Sequence, residues 1–344
     1  MNTELLKTLS ELCGIPGREE KVRHFVKKAL ESLCDEVRVD ALGNVIGHKS
    51  GPGPTVMVAA HMDEIGFVVK HIDDNGFVRM DPSGGFDPKT LIAQRVLVHT
   101  ETETLLGIIG SKPVHILSDE ERKKPLELRD LFVDLGLPAK RVRKAVEIGD
   151  FITLAQTFQA VGDLVSGKAL DDRVGVYVML EALRKLSDHQ ANIYAVATVQ
   201  EEVGLRGASA AGFGVNPDIG VALDVTVAAD VPGSKGHEQV TQLGQGTAIK
   251  VKDSSHIANP KLVKFFKALA NERKIPYQLE VLPRGGTDAA GIQKAQAGKA
   301  VITLSIPTRY LHSVVEAAHP TDVQASVDLL AAFLEQAHEC DLTL

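Results

Sequence analysis

The chain of 344 residues contains no tryptophan, and aromatic residues make up only 4% of it. Single-stranded nucleic acids bind by stacking their bases on aromatic side chains, and a sugar ring needs a similar flat platform, so neither kind of surface is expected. The 38 basic residues are outnumbered by 45 acidic ones, which gives a net charge of −7. A protein that binds a phosphate backbone needs a basic face, so we predict no nucleic-acid partner.

Only three cysteines are present, Cys13, Cys34 and Cys340, and they show no C-x-x-C spacing. An odd and sparse set is typical of reduced thiols in a cytoplasmic protein rather than of a disulfide framework. No stretch approaches the roughly 20 apolar residues of a membrane span. Charged residues also interrupt the N-terminal segment, where a signal peptide would have its apolar core. We therefore predict a cytoplasmic location and no membrane partner.

Most of the chain shows the pattern of an α/β protein. Two N-terminal helices precede an apolar run at 55–60, which suits a central strand buried on both faces. Strand-like runs then alternate with helical patterns over 193–337. This alternation is typical of an α/β sheet with crossover helices.

The pattern differs over 66–162, where short strand-like pieces are separated by polar turns. Within this part only 124–136 has the apolar spacing of a helix. At about 150 residues per domain, the length suits roughly two domains. We therefore predict a discontinuous catalytic α/β domain, 1–65 together with 163–344, that is interrupted by a β-rich insertion at 66–162.

Acidic and histidine side chains follow the strand-like runs at the point where each run ends. Ligands of open α/β sheets bind outside the carboxyl ends of the strands, so these side chains are expected at one edge of the sheet. The candidates are His61, Glu201, Glu202, Asp224, Asp288 and His312, together with Asp171 at the start of a helix. Singly, each is better explained as a solvated or capping residue, and Asp288 is equally well explained as an N-cap. Their joint pattern favours a functional site.

Two imidazoles with several carboxylates form the ligand set of a pair of divalent metal ions. Such ions lie about 3.5–4 Å apart and share a carboxylate, and their charge offsets the surrounding negative charge. Zn²⁺ or Co²⁺ fits this set, and Mn²⁺ is also compatible with it. A water bound at such a site is acidified toward neutrality, and a free carboxylate beside it can act as general base. The adjacent Glu201 and Glu202 offer one ligand and one base.

Six segments resemble, in order and in spacing, the tetrahedral aminopeptidases, which are also called glutamyl-aminopeptidase-like or cellulase-M-like peptidases. The segments are AHMDEIGF (60–67), ALDDRVG (169–175), QEEVGLRGA (200–208), ALDV (222–225), GGTDA (285–289) and RYLHS (309–313). The resemblance implies a zinc-exopeptidase-like α/β/α sandwich with a PDZ-like dimerisation domain, which coincides with the β-rich insertion. It also implies self-association, since members of the family often assemble from dimers into tetrahedral homododecamers.

The resemblance further assigns a role to each motif residue. It implies five metal ligands: His61 and Asp224 for one ion, Glu202 and His312 for the other, and Asp171 as the bridge between them. Glu201 resembles the catalytic base of the family. Asp63 resembles the carboxylate that orients His61 and tunes its basicity. Asp288 receives no role from the resemblance.

The expected function is that of a metal-dependent aminopeptidase that removes N-terminal residues from short peptides. One alternative is a two-metal deacylase or amidohydrolase that acts on N-acyl amino acids. The other is a non-catalytic subunit, against which the intact Glu201 and the complete ligand set argue. The preferred N-terminal residue stays open. Four cations that would favour acidic side chains near the cleft are equally well explained as surface or ion-paired residues: Lys250, Lys252, Arg284 and Arg309.

Overall fold

The computed structural model of the chain describes residues 1–342. Its α-helices are α1 (Thr3–Glu11), α2 (Glu20–Leu30), α3 (Asp119–Lys123), α4 (Ala139–Ala145), α5 (Leu170–Lys185), α6 (Arg206–Val215), α7 (Pro260–Glu272), α8 (Ala289–Gln293) and α9 (Pro320–Gln336). Its strands are β1 (Glu36–Val39), β2 (Val45–Lys49), β3 (Thr55–His61), β4 (Gly66–Ile72), β5 (Val78–Ser83), β6 (Arg95–His99), β7 (Thr104–Ser111), β8 (Leu131–Asp134), β9 (Phe151–Leu154), β10 (Gln159–Val161), β11 (Leu164–Gly167), β12 (Asn192–Thr198), β13 (Ile219–Val227), β14 (Thr247–Lys252), β15 (Tyr277–Val281), β16 (Ala300–Arg309) and β17 (Glu316–Ala318). Among the helices of this part, none combines the length and the apolar content that crossing a membrane requires.

A mixed sheet of eleven strands forms the centre of the α/β part. Its main path runs in the order β1-β2-β12-β3-β13-β16-β17-β11-β10, and β14 and β15 extend it from β16. Strands β12, β3, β13 and β16 are parallel neighbours, so their carboxyl ends lie at the same edge. In this register His61 pairs with Thr198, and Asp224 pairs with Ser305. The pairing therefore brings together the carboxyl ends of four strands, each of which contains or precedes a candidate site residue.

Helices cover both faces of the sheet because its central strands are apolar on both sides. In β3, Val56, Val58 and Ala60 belong to the large core that includes residues of α1, α2, α5, α7 and α9. Met57 and Ala59 alternate with them and pack in a second core with residues of α6 and α8. A strand buried on both faces has a continuous apolar sequence. The prediction of an α/β/α sandwich is confirmed.

A closed barrel of six strands lies between β3 and α5 in the sequence, with the strand order β4-β5-β8-β7-β6-β9. Its own apolar core consists mostly of β-branched and aliphatic side chains. The predicted β-rich insertion is thus confirmed as part of the fold. Strands β10 and β11, which follow the barrel, pair with each other and continue the large sheet through β17.

The helix predicted over 124–136 is wrong. This stretch contains a 3₁₀ turn, Leu128–Asp130, followed by strand β8. Leu131 and Val133 alternate into the barrel core, and β8 pairs with β7 on one side and with β5 on the other. A short apolar pattern suits either a helix or a strand, and here the two neighbouring strands decide the outcome.

Candidate metal centre

The carboxyl-terminal edge of the parallel strands collects the predicted ligands from distant parts of the chain. His61 ends β3, Asp224 lies in the last part of β13, and His312 follows β16. Asp171 lies at the start of α5, where the backbone is not yet helical. Within residues 1–342, three sets of side chains have ligand atoms all within 4.8 Å of one another: His61 with Asp171 and Asp224, Asp171 with Glu202 and His312, and His61 with Glu201 and Glu202.

Asp171 lies between the two histidines. Its Oδ1 is 3.0 Å from Nε2 of His61, and its Oδ2 is 3.3 Å from Nε2 of His312. Glu202 Oε1 lies 3.4 Å from the same nitrogen of His312, and Glu201 Oε2 lies 3.9 Å from Nε2 of His61. Nε2 of each histidine therefore faces two carboxylates, and the carboxylate of Asp171 is common to both histidines.

Asp63 connects the loop after β3 to the loop after β12. Its carboxylate accepts hydrogen bonds from the backbone N–H groups of Glu201 at 3.0 Å and Glu202 at 3.1 Å. Nδ1 of His61 lies 3.0 Å from the backbone carbonyl oxygen of Asp63 and 3.6 Å from its Oδ1. The shorter contact to His61 is thus made by the carbonyl group. The carboxylate positions the two glutamates.

The carboxylates of the cluster are crowded and largely removed from water. Burial, reinforced by the charge of Asp171, raises the pKa of Glu202 to about 7. Burial also raises the pKa of Glu201 and that of Asp224 well above their usual values. A buried carboxylate among other carboxylates favours its neutral form unless a positive charge is nearby.

The nearby negative charge raises the pKa of both histidines, which favours their charged forms. Burial disfavours the charged imidazole of His61, but its hydrogen bonds to Asp171 and Asp63 outweigh burial and raise its pKa well above the usual value. For His312, burial is likewise outweighed by Asp171 and Glu202, and its pKa rises to about 10. Positive charge placed among these carboxylates would stabilise their ionised forms. The residues therefore fit a site for divalent cations.

Asp288 lies outside the three sets of ligand atoms. Its Oδ2 accepts a hydrogen bond from the hydroxyl of Thr198, and its Oδ1 is buried without a hydrogen-bond partner in the described chain. It occupies the N-cap position of α8, but its side chain makes no capping hydrogen bond. The N-cap explanation for Asp288 is therefore not supported by the geometry.

Two further acids contact the cluster without having been singled out in the sequence. Asp172 accepts hydrogen bonds from the backbone N–H groups of His61 at 3.2 Å and Gly175 at 3.1 Å. Glu316 accepts hydrogen bonds from the backbone N–H groups of Asp171 and His312. The D-D pair in ALDDRVG was a visible signal for Asp172. For Glu316 the only signal was its position four residues after His312.

A cleft of about 710 Å³ opens at the cluster, and its lining includes residues 85–87 from the loop that follows β5 of the barrel. Gly84, at the start of this loop, has φ of +98°, and a Cβ there would lie 2.5 Å from Cγ2 of Ile65. The same Cβ would lie 3.3 Å from Oε2 of Glu202. The turn therefore requires glycine, and the barrel supplies one wall of the cleft.

Of the four cations considered from the sequence, Arg284 is an exposed residue that lines the cleft. Lys250 is fully buried and ion-paired, and Arg309 is ion-paired with Asp230 at 2.6 Å. Lys252 is exposed but is not part of the cleft lining. Arg284 is thus the cation of this group that a molecule in the cleft would meet.

The three-layered sandwich, the inserted barrel and the ligand cluster at the strand ends define a fold of the zinc-exopeptidase-like class. Comparison with family models identifies the family more closely, since the model for the M42 glutamyl aminopeptidases matches residues 43–329. The chain belongs to this family. The resemblance seen in the sequence motifs is confirmed.

Individual relatives agree with this assignment. Lysyl aminopeptidase from Pyrococcus furiosus is 40% identical over 346 residues, which cover 99% of each chain. The structure of an aminopeptidase from the archaeon Desulfurococcus kamchatkensis is 42% identical, with a TM-score of 0.93 over 97% of this chain and 94% of that one. Pyrococcus horikoshii TET1 peptidase, described as assembling into a tetrahedron or a large octahedral shell, is 33% identical, with a TM-score of 0.87 over 96% of this chain and 98% of that one.

Proposed function

We propose that the protein is a metal-dependent aminopeptidase that removes N-terminal residues from short peptides. The observation that carries the proposal is Asp171, whose two carboxylate oxygens face one histidine each at an acid-lined cleft. This arrangement suits a carboxylate that bridges two cations. Membership of the M42 glutamyl aminopeptidase family supports the same activity.

The family resemblance implies which residues would hold two divalent ions, and the two groups of ligand atoms that share Asp171 support this assignment. His61 and Asp224 would hold one ion, Glu202 and His312 the other, and Asp171 both. Imidazole and carboxylate ligands suit Zn²⁺ or Co²⁺, and they are also compatible with Mn²⁺. When bound, such a pair supplies Lewis acidity that polarises a carbonyl group and makes water a better nucleophile at neutral pH.

Glu201 is the residue that we assign as general base. Its carboxylate lines the cleft beside the candidate ligands, and its backbone is held in place by Asp63. The carboxylate of Glu201 would be ionised beside two divalent ions and could then accept a proton. Glu201 takes a proton from the attacking water and then donates it to the nitrogen of the leaving amine.

The family favours substrates with a free N-terminus. The chain belongs to the M42 glutamyl aminopeptidases, and lysyl aminopeptidase from Pyrococcus furiosus matches it over 99% of its length. An N-acyl amino acid has no free α-amino group. The aminopeptidase is therefore favoured over the deacylase, which uses the same two-metal chemistry.

The variant Glu201→Gln tests the proposal. Its metal content, measured by elemental analysis, is expected to stay unchanged. Its kcat on aminoacyl-p-nitroanilides is expected to fall about 10²–10⁴-fold, which is the usual contribution of a general base. The matched control is Glu272→Gln, at an exposed position of α7, which should keep the wild-type rate.

The aminoacyl-p-nitroanilides are assayed with added Zn²⁺, Co²⁺ and Mn²⁺ by release of p-nitroaniline, and N-acetyl amino acids are assayed in parallel by release of acetate. Preferential cleavage of the blocked compounds would favour the deacylase. An inactive wild-type enzyme at every metal would favour a non-catalytic subunit. A wild-type rate for Glu201→Gln would show that another group takes the proton.

We also propose that the barrel is a dimerisation domain and that dimers assemble into a tetrahedral homododecamer. Several apolar side chains of the barrel segment are exposed in the single chain, namely Leu106, Ile108, Ile116 and Ile148. Burying such side chains between subunits would remove apolar surface from water. Light scattering of the purified protein tests the assembly, and a monomer at working concentration would contradict it.

The three cysteines, free in the described chain, agree with a reducing, cytoplasmic location.

A further inference from the structure

Glu316, the first residue of β17, connects two separate segments that supply candidate metal ligands. Its side chain is buried, with an exposed fraction of 2%. Oε2 accepts a hydrogen bond from the backbone N–H of Asp171 at 3.0 Å, and Oε1 accepts one from the backbone N–H of His312 at 2.8 Å. Both oxygens of one carboxylate are therefore used to join the start of α5 to the loop after β16.

One of these two backbone positions has an unusual conformation. His312 has φ of +58°, in the left-handed region that L-residues other than glycine seldom adopt. Such a conformation persists only where surrounding contacts hold it, and the hydrogen bond from the N–H of His312 to Glu316 is such a contact. Asp171 has φ of −74° and ψ of 108°, an ordinary extended conformation, and its N–H is thereby free to bond to Glu316 instead of within the helix.

A second buried carboxylate of the cluster, that of Asp63, makes the same kind of paired contact. Asp63 accepts the backbone N–H groups of Glu201 and Glu202 with its two carboxylate oxygens, much as Glu316 accepts those of Asp171 and His312. Each buried carboxylate thus fixes a pair of residues that face the cleft. The two pairs together contain four of the side chains that the proposed reaction uses.

We propose that Glu316 is a positioning residue for the metal site formed by Asp171, Glu202 and His312. The inference rests on the proposed two-metal function. The carboxylate of Glu316 acts through the backbone, because it holds the main chain of Asp171 and of His312 at the separation that lets both side chains meet one ion. Outer partners that orient metal ligands typically contribute 10–100-fold to metal affinity or activity.

A residue that stabilises only the fold would make similar bonds, and the chain offers a matched example. Asp322, in α9, is also buried and accepts two backbone N–H groups, from Gly244 and Gly246, each at 2.7 Å. Neither Gly244 nor Gly246 belongs to the three sets of ligand atoms or to the cleft lining, whereas Asp171 and His312, the partners of Glu316, belong to both. The variants Glu316→Gln and Asp322→Asn therefore remove the same kind of acceptor at a site next to the cluster and at one outside it.

The experiment measures the dissociation constants of both Zn²⁺ ions by competition with a fluorescent chelator, using the full chain. Glu316→Gln is expected to raise at least one of these constants 10–100-fold and to lower kcat at saturating zinc, with a smaller change in KM. Asp322→Asn is expected to change both constants less than threefold. Urea unfolding of the two metal-free variants shows whether their losses of stability are comparable.

Equal zinc affinities for Glu316→Gln and the wild type, or equal losses in both variants, would overturn the inference. If Glu316→Gln does not fold, Glu316→Asp replaces it, since this variant keeps the charge and withdraws the carboxylate by one C–C bond. Its zinc affinity is expected to fall at least threefold, and an unchanged value would again overturn the inference. A wild-type protein that takes up no zinc would instead overturn the proposed function, and this inference with it.

Discussion

Lys250 is a buried cation close to the candidate metal centre, and its removal tests how a buried ion pair contributes to the free energy of unfolding. Its Nζ lies 3.1 Å from Oε1 of Glu280, its cross-strand partner, and 3.7 Å from Oδ2 of Asp253. None of the three side chains is exposed in these pairs. Burial disfavours the charged amine, but Glu280, Asp224 and Asp253 outweigh it and raise the pKa of Lys250 above its usual value. Lys250 therefore stays charged.

The variant Lys250→Met keeps an unbranched apolar chain and removes the charge. Glu280 would then be buried without its cationic partner, and its Oε2 already has no hydrogen-bond partner in the described chain. Breaking a buried ion pair by removing one partner costs about 3–5 kcal/mol, because the remaining charge is uncompensated. Replacing both charges is often nearly neutral, so we expect Lys250→Met with Glu280→Gln to restore most of the loss.

The assay is a double-mutant cycle, in which urea unfolding at pH 7.5 gives the free energy of unfolding of the wild type, both single variants and the double variant. We expect Glu280→Gln alone to cost less than Lys250→Met alone, since Asp253 still faces the amine. The coupling energy should exceed about 1 kcal/mol, within the range found for residues in contact. Losses that add to within about 0.5 kcal/mol, or a cost below 1 kcal/mol for Lys250→Met, would refute the reasoning.

Two further predictions concern specificity and pH. Arg284→Glu reverses the charge of an exposed cleft residue, so the ratio of kcat/KM for glutamyl to lysyl p-nitroanilide should fall at least tenfold, about 1.4 kcal/mol; an unchanged ratio removes Arg284 from substrate selection. Burial lowers the pKa of His99 to about 4, so between pH 6.5 and 4 the unfolded chain binds a proton that the folded barrel excludes. Stability therefore falls over this window by up to about 3 kcal/mol, and in urea unfolding His99→Gln should lose less stability on acidification; equal losses would contradict the assignment.

The sandwich could be predicted from the sequence because its central strands leave a local record. Strand β3 is apolar over 56–60 since both faces are covered, and helical patterns alternate with the strand-like runs over 193–337. The strands of the barrel show a weaker pattern of apolar residues in the sequence. Its strand β8 has four residues, too few to show a period, and only pairing with β5 and β7 distinguishes it from a helix.

The candidate ligands could be predicted for a topological reason. A parallel sheet puts the ends of its strands at one edge, so an unusual side chain after each apolar run is a signal even without knowledge of which strands are neighbours. His61, Asp224 and His312 were found in this way, and the structure brings a ligand atom of each within 4.8 Å of Asp171. Their roles as ligands remain proposals.

The residues that hold these side chains in place could not be found from the strand ends. The family resemblance pointed to Asp63, as a partner of His61, and nothing singled out Glu316. Glu316 and Asp63 act on backbone N–H groups, and Glu316 lies 145 positions from one of its partners. Such a bond depends on the folded path of the chain and leaves no spacing in the sequence. Asp288 shows the converse, since its position before α8 suggested a cap that the side chain does not form.

The wide separation of the ligands along the chain sets an order for how the protein is made. At about 5–20 residues per second, the ribosome adds His312 roughly 10 to 50 s after His61. All six strands of the barrel are synthesised within that interval, while β3 still waits for its neighbours β12 and β13. The candidate metal site thus stays incomplete until His312, the last of its five candidate ligands in the sequence, is added. A translation product that stops short of His312 contains the barrel strands and an unfinished sheet but lacks one of these ligands.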